Sequence, residues 1–262
     1  MLNLEKKSIL VTGSAGTGIG AGIADVSYSL GAKVIFHDLK PSMFTDEMRR
    51  KYPNAEFIAG DLTEPGFIES LFSTIKLRGI SLDCLVNNAG IGLSKPTHEI
   101  TENEFVNLFN IDVKSVWLLS KFFIKNCLDE KKSGSIVNIS SVHAHSTIPR
   151  YAIYAGAKGC IESMTRGLAV DYGKNNIRVN AIAPGYVHSE QNYELIGTWS
   201  NDPVAWVKLH SKNQQCIERE ITPQECGYLA AFLMSDLSQT ISGQTIRIDG
   251  GTTALLYNKD FL

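Results

Sequence analysis

The chain has 262 residues, 44% of them hydrophobic and 20% charged, ordinary globular usage that excludes disordered and fibrous classes. A formal net charge of −2 gives no electrostatic case for nucleic acid or an anionic membrane surface, and no apolar run approaches the ~20 residues of a membrane span. The five cysteines (Cys84, Cys127, Cys160, Cys216, Cys226) lack metal-ligand spacing and read as reduced side chains. With no charged-then-apolar signal pattern at Met1 to Lys7, the expectation is a cytoplasmic protein.

Short apolar runs alternate with helical patterns from end to end. Ser8 to Val11 is a buried-strand candidate, followed by a glycine-rich turn and a helix from about Gly18 to Leu30. Further strands are expected at Lys33 to His37, Glu56 to Ala59, Leu82 to Val86, Ser135 to Ile139, Ile177 to Ile182 and Thr245 to Ile248. Strands separated by helices predict an α/β fold, a doubly wound parallel (Rossmann) sheet of about seven strands with helices on both faces. No linker or repeat divides the chain, so residues 1–262 are expected to form a single domain. Between Val187 and Thr222 no strand is expected. That stretch predicts an excursion at about 188–221 over the carboxyl edge of the sheet, where open α/β folds place ligands.

Two clusters of residues carry chemistry. The run Thr12-Gly13-Ser14-Ala15-Gly16-Thr17-Gly18-Ile19-Gly20 joins the first strand to the first helix. Glycines there let the backbone approach a pyrophosphate, and the helix start supplies N–H groups. Asp38 ends the second strand, where an acid can bind a ribose 2′-OH and repel a 2′-phosphate. The turn itself carries no Arg or Lys. NAD is therefore expected over NADP, with Lys40 tempering the preference. The second cluster is Tyr154-Ala-Gly-Ala-Lys158 with Ser141 upstream. A Tyr and a Lys four apart share one helix face, and a fixed cation favours the phenolate of an otherwise weakly acidic phenol. Such a phenol can exchange a proton with an alcohol. Tyr151 lacks this partner, since Ala155 stands at i+4.

These motifs, in this order and over essentially the whole length, resemble the short-chain dehydrogenase/reductase family. Its Thr-Gly-x-x-x-Gly-x-Gly turn matches Thr12, Gly13, Gly18 and Gly20, with one extra residue here before Gly18 and with Ile19 inside the motif. The resemblance maps the strand-end acid to Asp38 and the adenine-contacting pair to Asp61 and Leu62. It places Asn87, Asn88, Ala89 and Gly90 along the adenosine side. The Pro184-Gly185-Tyr186-Val187-His188-Ser189 segment is implied to cap the nicotinamide carboxamide, with Pro184, Val187 and Ser189 as contacts. Ile248-Asp249-Gly250-Gly251 is a further match. The catalytic set carried over is Asn110, Ser141, Tyr154 and Lys158. Tyr154 would be the acid/base, Lys158 would hold the ribose and lower the Tyr pKa, Ser141 would bind the substrate oxygen, and Asn110 would hold a water leading from Lys158 to solvent. The family also implies a homotetramer, built on helices around Glu104–Asn126 and Tyr151–Tyr172.

The substrate end is less legible. His143, His145 and His188 lie near one cleft in this reading, but no carboxylate cluster accompanies them and no metal is expected. His143 and His188, with Ser141 and Tyr154, are the substrate-contact candidates; Arg150, Gln191, Asn192 and Trp199 could also face the pocket. Polar groups of this kind suit a sugar or polyol. The expectation is an NAD-dependent oxidoreductase moving a hydride between a secondary alcohol and nicotinamide. A 3-oxoacyl-thioester reductase is the rival within enzymes, and a non-catalytic dinucleotide-sensing protein the rival outside them.

Overall fold

The computed structural model describes residues 1–256. Seven strands form one sheet: β1 (Ser8–Thr12), β2 (Lys33–Asp38), β3 (Glu56–Ala59), β4 (Cys84–Asn87), β5 (Gly134–Ile139), β6 (Ile177–Pro184) and β7 (Thr245–Ile248), in the order β3-β2-β1-β4-β5-β6-β7. Every neighbouring pair is parallel. The helices are α1 (Ile19–Ser29), α2 (Asp46–Lys51), α3 (Phe67–Leu77), α4 (Glu102–Phe109), α5 (Ser115–Asp129), α6 (Ala152–Tyr172), α7 (Glu190–Gly197), α8 (Pro203–Gln214) and α9 (Pro223–Met234). This is the doubly wound Rossmann-type sheet that the alternation of strands and helices predicts.

Both sheet faces are dry because successive side chains of a strand point opposite ways. Ile9 and Val11 of β1 join a core with Ile23 of α1 and Ala230 and Leu233 of α9. Leu10 between them joins the other core, with Leu71 of α3 and Phe123 of α5. Each such fully buried aliphatic side chain contributes roughly 1.5–3 kcal/mol. The strand order reverses direction between β1 and β4, so a crevice opens at their carboxyl ends.

Two features add to the sequence expectation. The helical stretch after Thr101 is not continuous: α4 stops at Phe109, a single π turn spans Asn110–Lys114, and α5 begins at Ser115. A π turn adds one residue to the local repeat and rotates the helix beyond it, a device common at functional sites. The stretch between β6 and α9 is also more ordered than a strandless excursion. Val187 and Ile221 form an isolated parallel bridge, and α7 and α8 fill the space between. The bridge closes the neck because both residues are buried, at 3% and 5% exposure, in a small apolar cluster with Cys226.

Candidate active site

The crevice is a cavity of about 1020 Å³ running from the glycine turn after β1 to the start of α6 and under α7 and α8. At its head, Gly18 caps α1 with no side-chain hydrogen bond, and no acid occupies the first turn. The first N–H groups of α1 and their partial positive charge are thus free for an anion. The turn can pack this closely only with glycine: a Cβ at Gly20 would lie 2.2 Å from the Gly13 carbonyl oxygen and 2.3 Å from Asn88 Nδ2. The Asn88 amide donates to the Thr12 and Gly13 carbonyls at 2.9 and 2.8 Å, which locks β4's end onto the turn. These residues fit a dinucleotide's pyrophosphate.

Asp38 lies on the same wall. Its Oδ2 accepts from the Ala15 N–H at 2.9 Å and its Oδ1 from the Leu39 N–H at 2.8 Å. The lengthened glycine turn is therefore tied to the strand-end acid. Asp61 accepts from the Thr63 N–H and hydroxyl at 2.8 and 2.7 Å, and with Leu62 it lines the same end of the crevice. His37 is beside them, buried and bonded to the Gly60 carbonyl at 3.1 Å; burial pushes its pKa down to about 4.

At the other end, Tyr154 and Lys158 share a face of α6, with the Lys158 ammonium 5.6 Å from the Tyr154 ring centroid. Lys158 is buried and donates to the Ile139 carbonyl at 3.3 Å. Ser141, 8% exposed, begins the short turn Val142–Ala144, and its hydroxyl accepts from the His143 N–H at 3.3 Å. Ser140 faces the helix instead, its hydroxyl donating to Glu162 Oε1 at 3.1 Å. The His143 ring stacks on Tyr151 at 4.6 Å and meets Tyr154 edge-on at 5.6 Å. Burial lowers the His143 pKa, so the ring is a neutral donor or acceptor near pH 7.

The crevice is lined by Gly13, Gly18, Ile19, Gly20, Asp38, Asp61, Leu62, Asn88, Ala89, Gly90, Ser141, His143, Tyr154, Lys158, Pro184, Val187, His188 and Ser189. Gln191, Asn192 and Trp199 line it too, whereas Asn110, His145 and Arg150 do not. Asn110 opens the π turn, and the same turn sets Asp112 Oδ2 2.9 Å from Lys158 Nζ. The sequence signal for Asp112 was an acid inside the apolar run Ile111 to Val113, which is buried only when paired. Ser189 carries a second duty, its hydroxyl capping α7 by accepting from the Asn192 N–H at 3.1 Å. His188 pairs with Glu220 at 3.0 Å.

Tyr186, Trp206 and His210, to none of which the sequence analysis gave a substrate contact, also line the crevice. Trp206 stacks on His210 at 5.2 Å, and Tyr186 meets both edge-on. The Tyr186 hydroxyl is buried without a hydrogen-bond partner, and burial with the nearby Glu220 and Tyr193 pushes its pKa up. Trp206 and His210 lie on a helix whose pattern is weak, so spacing alone did not aim them inward. Among the described residues no group of three or more His, Cys, Asp or Glu could hold a metal ion, and no helix is long and apolar enough to cross a membrane.

A parallel sheet with a glycine turn at its crevice and a Tyr–Lys pair lining the same crevice, the Lys buried and the Tyr half-buried, defines a Rossmann-type oxidoreductase architecture. The family model described as enoyl-(acyl carrier protein) reductase matches residues 13–253. Oxidoreductase UcpA of Escherichia coli is 33% identical over 258 residues, covering 97% of each chain. Among solved structures, a gluconate 5-dehydrogenase from Burkholderia cenocepacia, in complex with NADP and tartrate, superposes with a TM-score of 0.88 at 27% identity, covering 97% of this chain and 98% of its own. A 3-oxoacyl (acyl-carrier-protein) reductase from Agrobacterium tumefaciens with NADP bound gives 0.86 at 26% identity, covering 95% of each. The chain belongs to the short-chain dehydrogenase/reductase family and is an oxidoreductase of the class acting on CH–OH groups.

Proposed function

We propose that the protein interconverts a secondary alcohol and a ketone with NAD, Tyr154 serving as general acid/base. The carrying observation is the Tyr154–Lys158 pair on α6, Lys158 buried and Tyr154 half-buried, at one end of a crevice whose other end is the uncapped start of α1. A bound nicotinamide supplies the hydride acceptor or donor. Tyr154 takes the hydroxyl proton in oxidation and returns it in reduction; Lys158 holds the ribose and stabilises the phenolate. The Ser141 hydroxyl steadies the substrate oxygen, where negative charge develops.

NAD is favoured because the Asp38 carboxylate stands where a 2′-phosphate would meet like charge. The competing observation is that both superposed enzymes carry NADP. A sugar, polyol or sugar acid fits the polar and aromatic lining, His143, Tyr186, Asn192, Trp199, Trp206 and His210, and the gluconate 5-dehydrogenase likeness supports it. Reduction of a 3-oxoacyl thioester is the second reading, supported by the Agrobacterium reductase likeness. Assembly as a homotetramer through α5 and α6 is consistent with the exposed Trp117 and Leu128 at 49% and 41%.

Nicotinamide absorbance, measured with NAD and NADP across sugars, polyols, sugar acids and a 3-oxoacyl thioester, tests this reading. Tyr154→Phe should cut turnover about 10²–10⁴-fold, the scale of lost general acid–base catalysis. Full turnover in that variant would remove Tyr154 from the chemistry, and a thioester far outpacing every polyol would replace the substrate class.

A further inference from the structure

Asp112 occupies the middle of the π turn Asn110–Lys114 with its side chain fully buried. Its Oδ1 accepts from the Ile91 N–H at 2.8 Å, which fixes the carboxylate plane. Gly90 leaves room for it: a Cβ there would sit 3.0 Å from Oδ2. Oδ2 has no aligned hydrogen-bond donor, yet it lies 2.9 Å from the Lys158 ammonium, itself only 8% exposed. The contact is therefore an ion pair set by the fold. Burying either charge alone costs more than burying the two together.

We propose that Asp112 is a positioning residue that keeps Lys158 charged and aimed into the crevice through this buried ion pair. Lys158 is then a compensated cation rather than a lone one. The groups facing it come from different elements. Tyr154 precedes it by one turn of α6, and Asp112 comes from the π turn. Glu162 lies one turn further along α6 but is engaged by the Ser140 hydroxyl at 3.1 Å. His143, from the Val142–Ala144 turn, contacts Tyr154 edge-on. Burial works against the charged form of Lys158, but the negative charges of Tyr154 and Asp112 outweigh it, and its pKa is raised. Removing the carboxylate leaves burial opposed by less, so the ammonium gives up its proton at lower pH.

Only the kinetic arm of the test rests on the dehydrogenase reading. Protein labelled with [ε-¹³C]lysine is titrated by NMR, the Lys158 resonance being assigned by its loss in Lys158→Met. Asp112→Asn keeps the shape without the charge, and Asp112→Ser is the second charge-free variant. In both, the Lys158 midpoint should fall by about 1–3 units, the scale of one adjacent opposite charge. The alcohol-oxidation profile of kcat/KM should then gain an alkaline loss that the unmodified protein lacks. A folded variant whose Lys158 midpoint stays in place overturns the proposal, as does loss of the fold in both variants, which would make Asp112 a structural acid. Absence of turnover in the unmodified protein would sink the dehydrogenase reading alone and leave the NMR result standing.

Discussion

Asp38 shows how one carboxylate can serve both fold and selectivity. Its oxygens accept from the Ala15 and Leu39 N–H groups, so the acid braces the glycine turn that carries one residue more than the family pattern. Removing the side chain would therefore mix two effects, a loosened turn and a lost charge. Asp38→Asn separates them, since the amide oxygen still accepts one of these bonds while the repulsion toward a 2′-phosphate disappears. The expected outcome is a preference for NAD over NADP narrowed by about tenfold or more, roughly 1.4 kcal/mol, with NAD binding little changed. Asp38→Ala should weaken both cofactors as well as narrow the ratio. Binding titrations with the two reduced dinucleotides check this; an Asn variant with the original ratio would remove Asp38 from cofactor choice.

At the scale of elements, α1 and α9 touch backbone to backbone. A Cβ at Gly22 would lie 2.3 Å from the Pro223 carbonyl carbon, and one at Gly227 would lie 2.6 Å from the Gly22 oxygen. Gly to Ala inside a helix ordinarily gains roughly 0.5–1 kcal/mol. Here the clash with main-chain atoms wins, and Gly22→Ala should destabilise by about 1–3 kcal/mol, the usual range for overpacking. Denaturant unfolding checks it, and a variant as stable as the parent would mean that α9 shifts freely on α1. This pairing also marks the limit of what the sequence shows. The strand set is legible because Ile9, Leu10 and Val11 form a continuous apolar run, the mark of a strand buried on both faces. The glycine turn, Asp38 and the Tyr154–Lys158 pair are legible because their chemistry depends on local spacing. The π turn is not, because a one-residue change in helical repeat leaves no compositional mark. The contact of Asp112 with Lys158 depends on the rotation of that turn and was hidden with it. Trp206 and His210 were hidden for a similar reason, since the placement of α8 over the crevice depends on the Val187–Ile221 bridge, a contact between residues far apart in the chain.

At the scale of the whole molecule, the cofactor end and the substrate end meet in the segment carrying α7 and α8. The Thr17 hydroxyl of the glycine turn accepts from the Glu190 N–H at 3.1 Å, and a Cβ at Gly16 would lie 3.6 Å from Gln191 Nε2. The start of α7 thus rests on the turn proposed to hold the pyrophosphate. Its neck is fixed by the Val187–Ile221 bridge and by the His188 N–H donating to the Ile221 carbonyl at 2.9 Å. An element anchored at its neck and touching the cofactor turn can close as a lid, and ordering one end should lower the opening of the other. Dinucleotide binding is therefore expected to slow amide exchange in residues 190–214 before any substrate is added. Of the three tryptophans, Trp199 and Trp206 belong to this region and Trp117 lies on α5, so intrinsic fluorescence should change on binding and lose most of that change in Trp199→Phe/Trp206→Phe. Tight dinucleotide binding with unaltered exchange across 190–214 would mean that the lid answers to substrate alone. In that case the Thr17–Glu190 contact would be incidental to closure.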